Sequence, residues 1–220
     1  MLYSASRREE RRLAYAEGVA LQKELLAGVA ADPSRHGTVV FAEHLPVITC
    51  GRSGDGSNLL ATPDRLGRDG IEYHLSGRGG DVTYHGPGQW TVYPVLRLDW
   101  YKRDLHHYLR LLEKCVIHFL RSYDVVGERR DGLTGVWIDG SKVAAVGVAV
   151  SRWVTWHGFA LNIAPDLSCF TRYMHPCGIT ADQGGVASLS SLLGREFTME
   201  ETLPVLQRSV AEVLRLTWLD

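Results

Sequence analysis

The sequence predicts an α+β fold within the broad α/β class, with helices packed on a mixed, largely antiparallel sheet. Segments with helical and strand-like apolar patterns interleave along the 220 residues without the regular strand–helix–strand alternation of a parallel sheet. A tight turn at Asp139-Gly140 joins two of the strand-like segments directly. No repeat or low-complexity segment divides the chain, so we expect a single domain over residues 1–220.

The N-terminal part predicts a helix and then two strands. One helix face carries small and apolar residues spaced three or four apart: Ala14, Gly18, Leu21, Leu25 and Val29. The charged run 7–12 would be the exposed start of this helix, and the run 32–34 (Asp-Pro-Ser) would end it. Residues 37–43 read as a buried strand and residues 47–49 as a second one.

The middle of the chain predicts a loop, a strand and a second helix. Residues 51–70 contain five glycines, and we expect a loop region there. Residues 90–98 predict a strand, which Pro94 would confine to a sheet edge or a bulge because proline has no N–H. Asp104 is a good N-cap. The core face of the helix that follows would be Leu105, Tyr108, Leu112, Cys115 and Phe119.

The clearest pattern in the chain is a β-hairpin. Apolar residues 136–138, the pair Asp139-Gly140 and the apolar run 142–150 together have the signature of a type I′ turn between two strands. Residues 153–163 would extend the hairpin into an antiparallel meander.

A last helix follows Thr198 and Glu201, which have capping-box spacing. Pro204 moves the expected start of this helix toward Thr202, because proline is poorly tolerated in a helix interior. Its apolar face would be Leu203, Leu206, Val210 and Val213.

Composition excludes several classes of protein. The chain has 45% apolar and 22% charged residues, which is ordinary for a globular protein. Its net charge of −1 argues against a dedicated nucleic-acid binder. Four cysteines are too few for a disulfide scaffold. No apolar run is long enough to span a membrane, and the charges at 7–12 interrupt any secretory core. We therefore expect a cytoplasmic protein with no membrane or nucleic-acid partner.

Cys177 is the cysteine best placed for chemistry. Pro176 and Gly178 flank it, and such neighbours are typical of a loop or sharp chain reversal rather than of a packed core. A loop of this kind can present a thiolate, which is the nucleophilic form of cysteine. The chain thus offers a candidate for acyl transfer through a cysteine thioester.

The segment 77–89 is a glycine-rich loop that could receive a substrate. Its five glycines allow a ligand close to the main chain, whose N–H groups favour anionic or carbonyl oxygens. It matches neither the Walker A loop nor the dinucleotide fingerprint. A purely structural turn is the alternative, but Arg78 and His85 add polar groups that a turn does not need.

Lys142 opens the second hairpin strand, on a face that continues with apolar residues at 144, 146, 148 and 150. It is either a snorkelling end residue, which the sequence alone favours, or a partly desolvated amine. The second interpretation gains weight if Cys177 lies near it, because an ammonium stabilises a thiolate.

The other histidines and cysteines have simpler interpretations. His44, His157 and His175 are read as structural, although His44 or His175 could pair with a thiolate, and His157 with Gly158 could contact a ligand or form a bulge. Cys50 could line a pocket, whereas Cys115 and Cys169 suggest no chemistry. No spacing resembles a zinc site, so we expect no metal.

Five blocks, taken in order, resemble the lipoate-protein ligase B family, the lipoyl(octanoyl) transferases. They are residues 43–52, 78–89, 140–148, 157–162 and 176–179. Each block alone is weak evidence, but the ordered set is highly specific. The resemblance extends over about residues 10–215 and implies the fold of the biotin and lipoate ligase catalytic domains. His175 and Cys50 depart from the residues commoner in the family.

The resemblance also implies roles for individual residues. Cys177 matches the acyl-thioester nucleophile, and Lys142 matches the lysine that lowers the pKa of that thiol and then acts as acid and base. The substrate-contact residues would be Arg78, Gly79, Gly80, Asp81, Val82, Thr83, Tyr84, His85, Ala145, Val146, Gly147, Gly158, Phe159 and Ala160.

The implied reaction is transfer of an octanoyl group from octanoyl-acyl carrier protein to a lysine on a lipoyl domain. The implied acceptors are the E2 subunits of 2-oxoacid dehydrogenases and the glycine cleavage H protein, in the first step of endogenous lipoate synthesis. Thioester to amide is downhill, so neither ATP nor a cofactor is expected.

Three other functions stay open at this point. An ATP-dependent lipoate or biotin ligase on the same fold would use Lys142 without Cys177. A cysteine hydrolase would pair Cys177 with a histidine and release free acid. A nucleic-acid-binding protein would use the aromatic run 153–156, but the chain has no concentrated basic stripe. The arginines at 129–130 and in the run 7–12 are candidates for contacting an acidic carrier protein, although a solvated surface explains both.

Overall fold

A computed structural model describes residues 2–32, 34–175 and 184–219. Cys177, with its neighbours Pro176 and Gly178, lies outside the described residues. In chain order the elements are β1 (Tyr3–Leu13), α1 (Tyr15–Ala31), β2 (Gly37–His44), β3 (Val47–Cys50), α2 (Pro63–Arg68), β4 (Glu72–Leu75), β5 (Val82–His85), β6 (Gln89–Val95), a short 3-10 helix (Leu98–Trp100), α3 (Leu105–Arg121), β7 (Gly135–Ile138), β8 (Ser141–Ser151), β9 (Val154–Asn162), α4 (Ser168–Arg172), α5 (Leu189–Leu193), α6 (Met199–Leu214) and β10 (Leu216–Leu219). Within this described part, no helix is both long and apolar enough to cross a bilayer.

Two sheets organise these elements. The larger has seven strands in the order β10-β1-β2-β6-β9-β8-β7, and the smaller has three in the order β4-β3-β5. β1 runs parallel to both β10 and β2, whereas the pairs from β2 to β7 are antiparallel. The α/β fold with a mixed, largely antiparallel sheet is therefore confirmed.

The main core lies between one face of the large sheet and helices α3 and α6. Fully buried side chains from both helices and the sheet meet there, among them Leu112, Phe119, Leu206, Val210 and Phe41. Helix α1 packs elsewhere on the sheet, where Val29 contacts Val95 and Val154. Two opposite surfaces of the sheet are thus protected from water by helices, as its continuously apolar strands require.

Most predicted elements are confirmed. α1 ends at Ala31, Asp104 caps α3 by accepting a hydrogen bond from the His107 N–H, and β7, β8 and β9 form the predicted meander. In the hairpin turn, Asp139 has φ 45° and Gly140 has φ 86°. Both values are positive, as a type I′ turn requires.

The charged run 7–12 is not the start of a helix but the middle of β1. The prediction was wrong because tertiary pairing decides this segment: parallel partners lie on both sides of β1, residues 5–10 against β2 and residues 3–6 against β10. Arg11 reaches Glu43 with a 2.6 Å hydrogen bond and Glu200 with one of 2.8 Å, so part of the charge is neutralised.

The loop predicted over residues 51–70 contains a short helix, α2. Thr62 caps it by accepting from the Arg65 N–H, and Pro63 occupies the first helical position, where a missing N–H costs nothing. The prediction missed this helix because the five glycines favour a loop, and the capping signal of Thr62 and Pro63 is short.

Pro94 is not on an edge strand, since β6 pairs with β2 on one side and β9 on the other. In helix α3, Leu105 is 41% exposed and does not belong to the core face predicted for it. Helix α6 begins at Met199 and carries Pro204 inside it on the exposed side, so the later start near Thr202 is also wrong. Thr198 caps α6 as predicted, by accepting from the Glu201 N–H.

Candidate active site

The segment 77–89 is not a loop throughout, because its residues 82–85 form β5, and the glycine-rich loop proper is residues 77–81. A cleft lies beside β8 and β9, under this loop. The space in it not filled by protein atoms is about 500 Å³, including its opening to solvent. Its walls are Tyr15, Arg78, Gly80, Asp81, Val82, Thr83, His85, Thr91, Tyr93, Lys142, Ala145, Val146, Gly147, His157, Gly158, Phe159 and Ala160. The structure therefore brings together Lys142 and most of the substrate-contact residues predicted from the sequence. Gly79 lies against this wall, whereas Tyr84 packs in a separate core cluster with Phe170.

The glycine-rich loop is held against the sheet through its main chain. The Gly79 N–H donates to the Val148 carbonyl at 2.9 Å, and the Ser53 N–H donates to the Gly80 carbonyl at 3.1 Å. A Cβ on Gly147 would lie 2.7 Å from the Gly79 oxygen, and a Cβ on Gly51 2.3 Å from the Gly80 oxygen. Glycine is required at 147 and 51 because another residue would push the loop away.

Arg78 braces this loop from inside. Its side chain is buried, and its guanidinium donates to the Thr49 carbonyl and hydroxyl, each at 2.8 Å, and to the Gly79 carbonyl at 3.1 Å. The guanidinium thus ties the loop to β3 and places a positive charge beside the cleft. Arg78 was predicted as a substrate contact, and these hydrogen bonds give it a structural role as well.

Lys142 is 6% exposed, so its amine is largely desolvated and does not snorkel into solvent. The Nζ lies 5.1 Å from the ring centroid of Trp137, a cation–π distance. The Lys142 N–H donates to the Gly185 carbonyl at 2.8 Å, and its carbonyl accepts from the Ala187 N–H at 3.0 Å. These bonds place the start of β8 against the segment that follows residue 183.

Beneath the cleft lies a buried group of three histidines and two tyrosines: Tyr15, His44, His85, Tyr93 and His157. Five pairs of these rings are in contact, with their centroids 5.7 to 6.3 Å apart. The Tyr93 hydroxyl and His44 Nε2 form a 2.6 Å hydrogen bond, and His85 Nδ1 bonds Gln89 Oε1 at 2.8 Å.

Burial keeps these histidines neutral. It lowers the pKa of His85 to about 3, and the nearby positive charge of Arg78 acts in the same direction. Burial, followed by the charge of Arg78, lowers the pKa of His157 to about 3. Burial also lowers the pKa of His44. Such weakly basic rings are poor general bases near neutral pH, which argues against a hydrolase that pairs Cys177 with one of them.

The other cysteines have no site-like arrangement. Cys50 is buried at the end of β3, and Cys115 lies in the core, where burial raises the pKa of its thiol. Cys169 is half-buried on α4, and burial raises the pKa of its thiol too. Across the described ranges, His, Cys, Asp and Glu side chains form no group that could hold a metal ion.

Three cleft residues were not predicted from the sequence: Tyr15, Thr91 and Tyr93. Tyr15 belongs to α1, which is distant in sequence from the loop and from β8, whereas Thr91 and Tyr93 belong to β6, which begins where the glycine-rich segment ends. Each is a single residue on an otherwise ordinary element, so the sequence carried no motif that could have marked it.

The arginines proposed to contact an acidic partner are in part paired within the chain. Arg129 lies 2.9 Å from the Glu113 carboxylate, and Arg130 donates to the Gly140 carbonyl at 2.9 Å. Arg129 and Arg130 therefore both have partners within the chain.

With this geometry in place, comparison with known proteins identifies the family. The family model described as the lipoyl protein ligase A/B catalytic domain matches residues 14–211. The chain belongs to this family. The match begins directly after β1, ends inside α6 and leaves out all of β10.

Curated relatives narrow the assignment within the lipoyl protein ligase A/B family. An octanoyltransferase of Gloeobacter violaceus is 44% identical over 192 residues, covering 87% of this chain and 82% of the relative. An octanoyltransferase of Geobacter metallireducens is 44% identical over 200 residues, covering 91% and 87%. The resemblance to the lipoyl(octanoyl) transferases is thereby confirmed, and the protein is an enzyme of the acyltransferase class.

Solved structures of lipoate and biotin protein ligases share the fold. A bi-partite lipoate protein ligase from Thermoplasma acidophilum aligns with a TM-score of 0.76 at 16% identity, covering 99% of this chain and 86% of that one. Biotin protein ligase from Aquifex aeolicus in complex with biotin and ATP aligns at 0.55 and 13% identity, covering 96% and 70%. These neighbours confirm the predicted biotin and lipoate ligase architecture.

Proposed function

We propose that the enzyme transfers an octanoyl group from octanoyl-acyl carrier protein to a lysine ε-amine on a lipoyl domain, through a thioester on Cys177. Family membership and the octanoyltransferases among its relatives support the acyl group and the reaction class. The observation that carries the proposal is Lys142, a buried amine in the wall of a cleft that the glycine-rich loop covers.

The position of Lys142 also supports its pairing with Cys177. The backbone of Lys142 is hydrogen-bonded to Gly185 and Ala187, and Gly185 follows Cys177 by eight residues in the sequence. A cation near the thiol favours the thiolate that attacks.

In the first half-reaction, the Cys177 thiolate attacks the carbonyl carbon of the donor thioester. A new C–S bond forms, the donor C–S bond breaks, and the phosphopantetheine thiol leaves with a proton that the Lys142 ammonium can supply. One thioester replaces another, so this half is close to balanced. The acyl chain would lie along the apolar part of the cleft, on Ala145, Val146, Phe159 and Ala160.

In the second half-reaction, the amine of the acceptor lysine attacks the acyl-enzyme. An ordinary lysine has a pKa of about 10.4 and is protonated near neutral pH, so the amine must lose a proton to react. That first proton goes to water, and Lys142, having given up its own proton in the first half, accepts the second proton from the amine nitrogen as the amide forms. A C–N bond forms, the C–S bond breaks, and the Cys177 thiolate is restored. Thioester to amide is downhill, so no ATP enters the scheme.

The acceptors we propose are the lipoyl domains of 2-oxoacid dehydrogenase E2 subunits and the glycine cleavage H protein, in the cytoplasm and as the first step of endogenous lipoate synthesis. The archaeal structural neighbour is described together with its own E2 lipoyl domain, which supports an acceptor of this kind.

The test is intact mass after mixing the protein with octanoyl-acyl carrier protein in the absence of ATP. We expect an octanoyl adduct that hydroxylamine removes, absent from Cys177→Ala and formed at least tenfold more slowly by Lys142→Ala. Cys169→Ala is the matched control, because Cys169 is a half-buried cysteine on the neighbouring helix, and it should keep the adduct.

Two results would overturn the proposal. One is an adduct that survives in Cys177→Ala but disappears in Cys169→Ala. The other is no adduct at all, with octanoyl-AMP formed once ATP and free octanoate are supplied, which would assign an ATP-dependent ligase.

A further inference from the structure

The pairing of β6 with β9 is interrupted at one end of the cleft. The two strands pair from Gln89–Asn162 to Val92–Phe159, and an isolated bridge joins them again at Arg97–Val154. The register is the same on both sides of the interruption, and it sets His157 opposite Pro94. No residue has been inserted, so the break is a local separation of two strands in register.

Side chains satisfy the main-chain groups on the β6 side of this break. Pro94 has no N–H to offer, and its carbonyl accepts from the Thr155 hydroxyl at 2.8 Å rather than from β9 main chain. Gly158 allows the two strands to lie close just before they separate, because a Cβ there would sit 2.1 Å from the Val92 oxygen.

On the β9 side, the break leaves the His157 N–H without a main-chain partner on β6. This N–H donates to Gln22 Oε1 at 2.7 Å, while Gln22 Nε2 donates to the Gly18 carbonyl of the same helix at 3.1 Å. Gln22 is fully buried and bonded through both ends of its amide. His157 itself has φ 57°, a strained value for a residue inside a strand. Such strain persists where the surroundings enforce it.

The break forms one end of the cleft, and Lys142 lies toward the other. Tyr93, His157 and Gly158 line the wall at the break. Val148, the partner of His157, is six residues beyond Lys142, which is roughly 20 Å along a strand at about 3.3 Å per residue. An acyl chain attached near Lys142 would therefore extend toward the break. His157 Nε2 is buried there with no hydrogen-bond partner among residues 2–32, 34–175 and 184–219.

We propose that Gln22 is a positioning residue for the acyl cleft: by binding the His157 N–H it holds the β6–β9 break open, and the break sets the acyl chain lengths that the enzyme accepts. The inference rests on the proposed function for the direction in which the chain lies. Without the Gln22 acceptor, the buried His157 N–H has to find another partner, and the nearest strand is β6. Re-pairing with β6 would move His157 and Gly158 and change the end of the cleft.

The test compares hexanoyl-, octanoyl- and decanoyl-acyl carrier protein as donors for Gln22→Met and Gln22→Glu. Methionine has nearly the volume of glutamine but no acceptor for the N–H, whereas glutamate keeps the acceptor oxygen. We expect Gln22→Met to lower kcat/KM for the octanoyl donor about tenfold, mainly through KM, and to change its preference among the three chains at least fivefold. Gln22→Glu should keep kcat/KM and the chain-length preference closer to those of the wild-type protein.

Val29→Ala is the control for a general loosening of α1, because Val29 is buried on the same helix, packs against Val95 and Val154 beside the break, and is not part of the hydrogen bond between Gln22 and the His157 N–H. It should lower the melting temperature without changing the chain-length preference. The proposal is overturned if Gln22→Met keeps the parent preference within twofold, or if Val29→Ala shifts the preference equally. Should Gln22→Met fail to fold, Gln22→Asn, which withdraws the amide by one methylene, gives the same comparison.

A second readout separates this proposal from the proposed function. Calorimetric binding of free hexanoate, octanoate and decanoate reports on the cleft even if the wild-type protein transfers no acyl group. Failure of wild-type transfer with a Gln22-dependent binding preference would overturn the reaction and leave the positioning role standing. If Gln22→Met has the same binding preference among the three acids as the wild type, the positioning role of Gln22 is overturned.

Discussion

At the residue scale, the site depends on how closely the main chain of the glycine-rich loop approaches the sheet. Gly147 permits that approach because a Cβ there would lie 2.7 Å from the Gly79 oxygen, a main-chain atom that cannot rotate away. The loop in turn carries Arg78, Gly80 and Asp81 into the cleft wall. One added methyl group should therefore affect substrate binding more than folding.

We expect Gly147→Ala to lower kcat/KM at least tenfold while the protein stays folded, because the loop has to move by some tenths of an ångström. Steady-state kinetics and urea unfolding on the same samples check this. The control is Gly67→Ala in α2, where an added Cβ meets no atom within 4 Å. Alanine there should leave activity unchanged and stabilise the protein by up to about 1 kcal/mol. Equal activity of the two variants would contradict the proposed role of the close approach.

Some cleft residues could be predicted from the sequence and others could not, depending on whether a sequence pattern marked them. The glycine-rich segment from Arg78 to His85 could be found from its unusual composition, whereas Lys142 was marked as functional only by the family resemblance, since its strand pattern alone favours a snorkelling end residue. Tyr15 and Tyr93 could not be found, since each is one aromatic residue in a regular helix or strand. Tertiary packing alone brings them to the cleft. The proposed role of Cys177 stays a prediction.

At the element scale, a buried carboxylate links β7 to α3. Glu113 is fully buried on α3, accepts from the Gly135 N–H of β7 at 3.1 Å, and is also bonded to Arg110 and Arg129. The same strand carries Trp137, on whose ring Lys142 lies. The position of the lysine is thus coupled to a carboxylate on another element.

Replacing Glu113 by alanine should destabilise the protein by about 2–3 kcal/mol, because a buried N–H and two arginines lose their acceptor together. Glu113→Gln should cost less, about 1 kcal/mol, since an amide oxygen can still accept from Gly135. Urea unfolding of the three proteins measures both differences. If alanine and glutamine cost the same, the bond to Gly135 contributes nothing and the coupling between α3 and β7 is weaker than described.

Element types followed from local patterns wherever a cap, a turn or an apolar period marked them, as at Asp104 and at the Asp139-Gly140 turn. The charged run 7–12 shows the limit of that reasoning. Its residues favour an exposed helix by themselves, but β2 and β10 provide parallel partners that only the folded chain brings alongside. Pairing between distant segments is not visible in a local window.

At the scale of the whole molecule, the buried histidines couple folding to pH. His85 and His157 have pKa values of about 3 in the folded protein, mainly because burial disfavours their charged forms. In an unfolded chain a histidine has a pKa of about 6.5. Between these values the unfolded chain binds protons that the folded protein does not, so stability must rise with pH.

The stabilisation from neutral His85 and His157 is fully present above about pH 6.5 and is lost as the pH falls toward 3. We therefore expect the urea midpoint to be lower at pH 5 than at pH 7. The double variant His85→Gln, His157→Gln should show a shallower dependence over that range. A midpoint that is the same at both pH values would show that these rings are not excluded from water as described.

The shortness of β7 has a consequence for how this cleft could be redesigned. β7 pairs with β8 only from Ser141 to Ala145, and beyond that point the Gly79 N–H occupies the same free edge of β8 at Val148. A strand and a substrate loop thus share one row of hydrogen-bonding positions. Adding two residues to β7 would let the strand compete for the positions that the loop needs. The length of β7 therefore limits how much of the β8 edge remains for the loop. This length can be changed without altering any residue that is proposed to contact the acyl group.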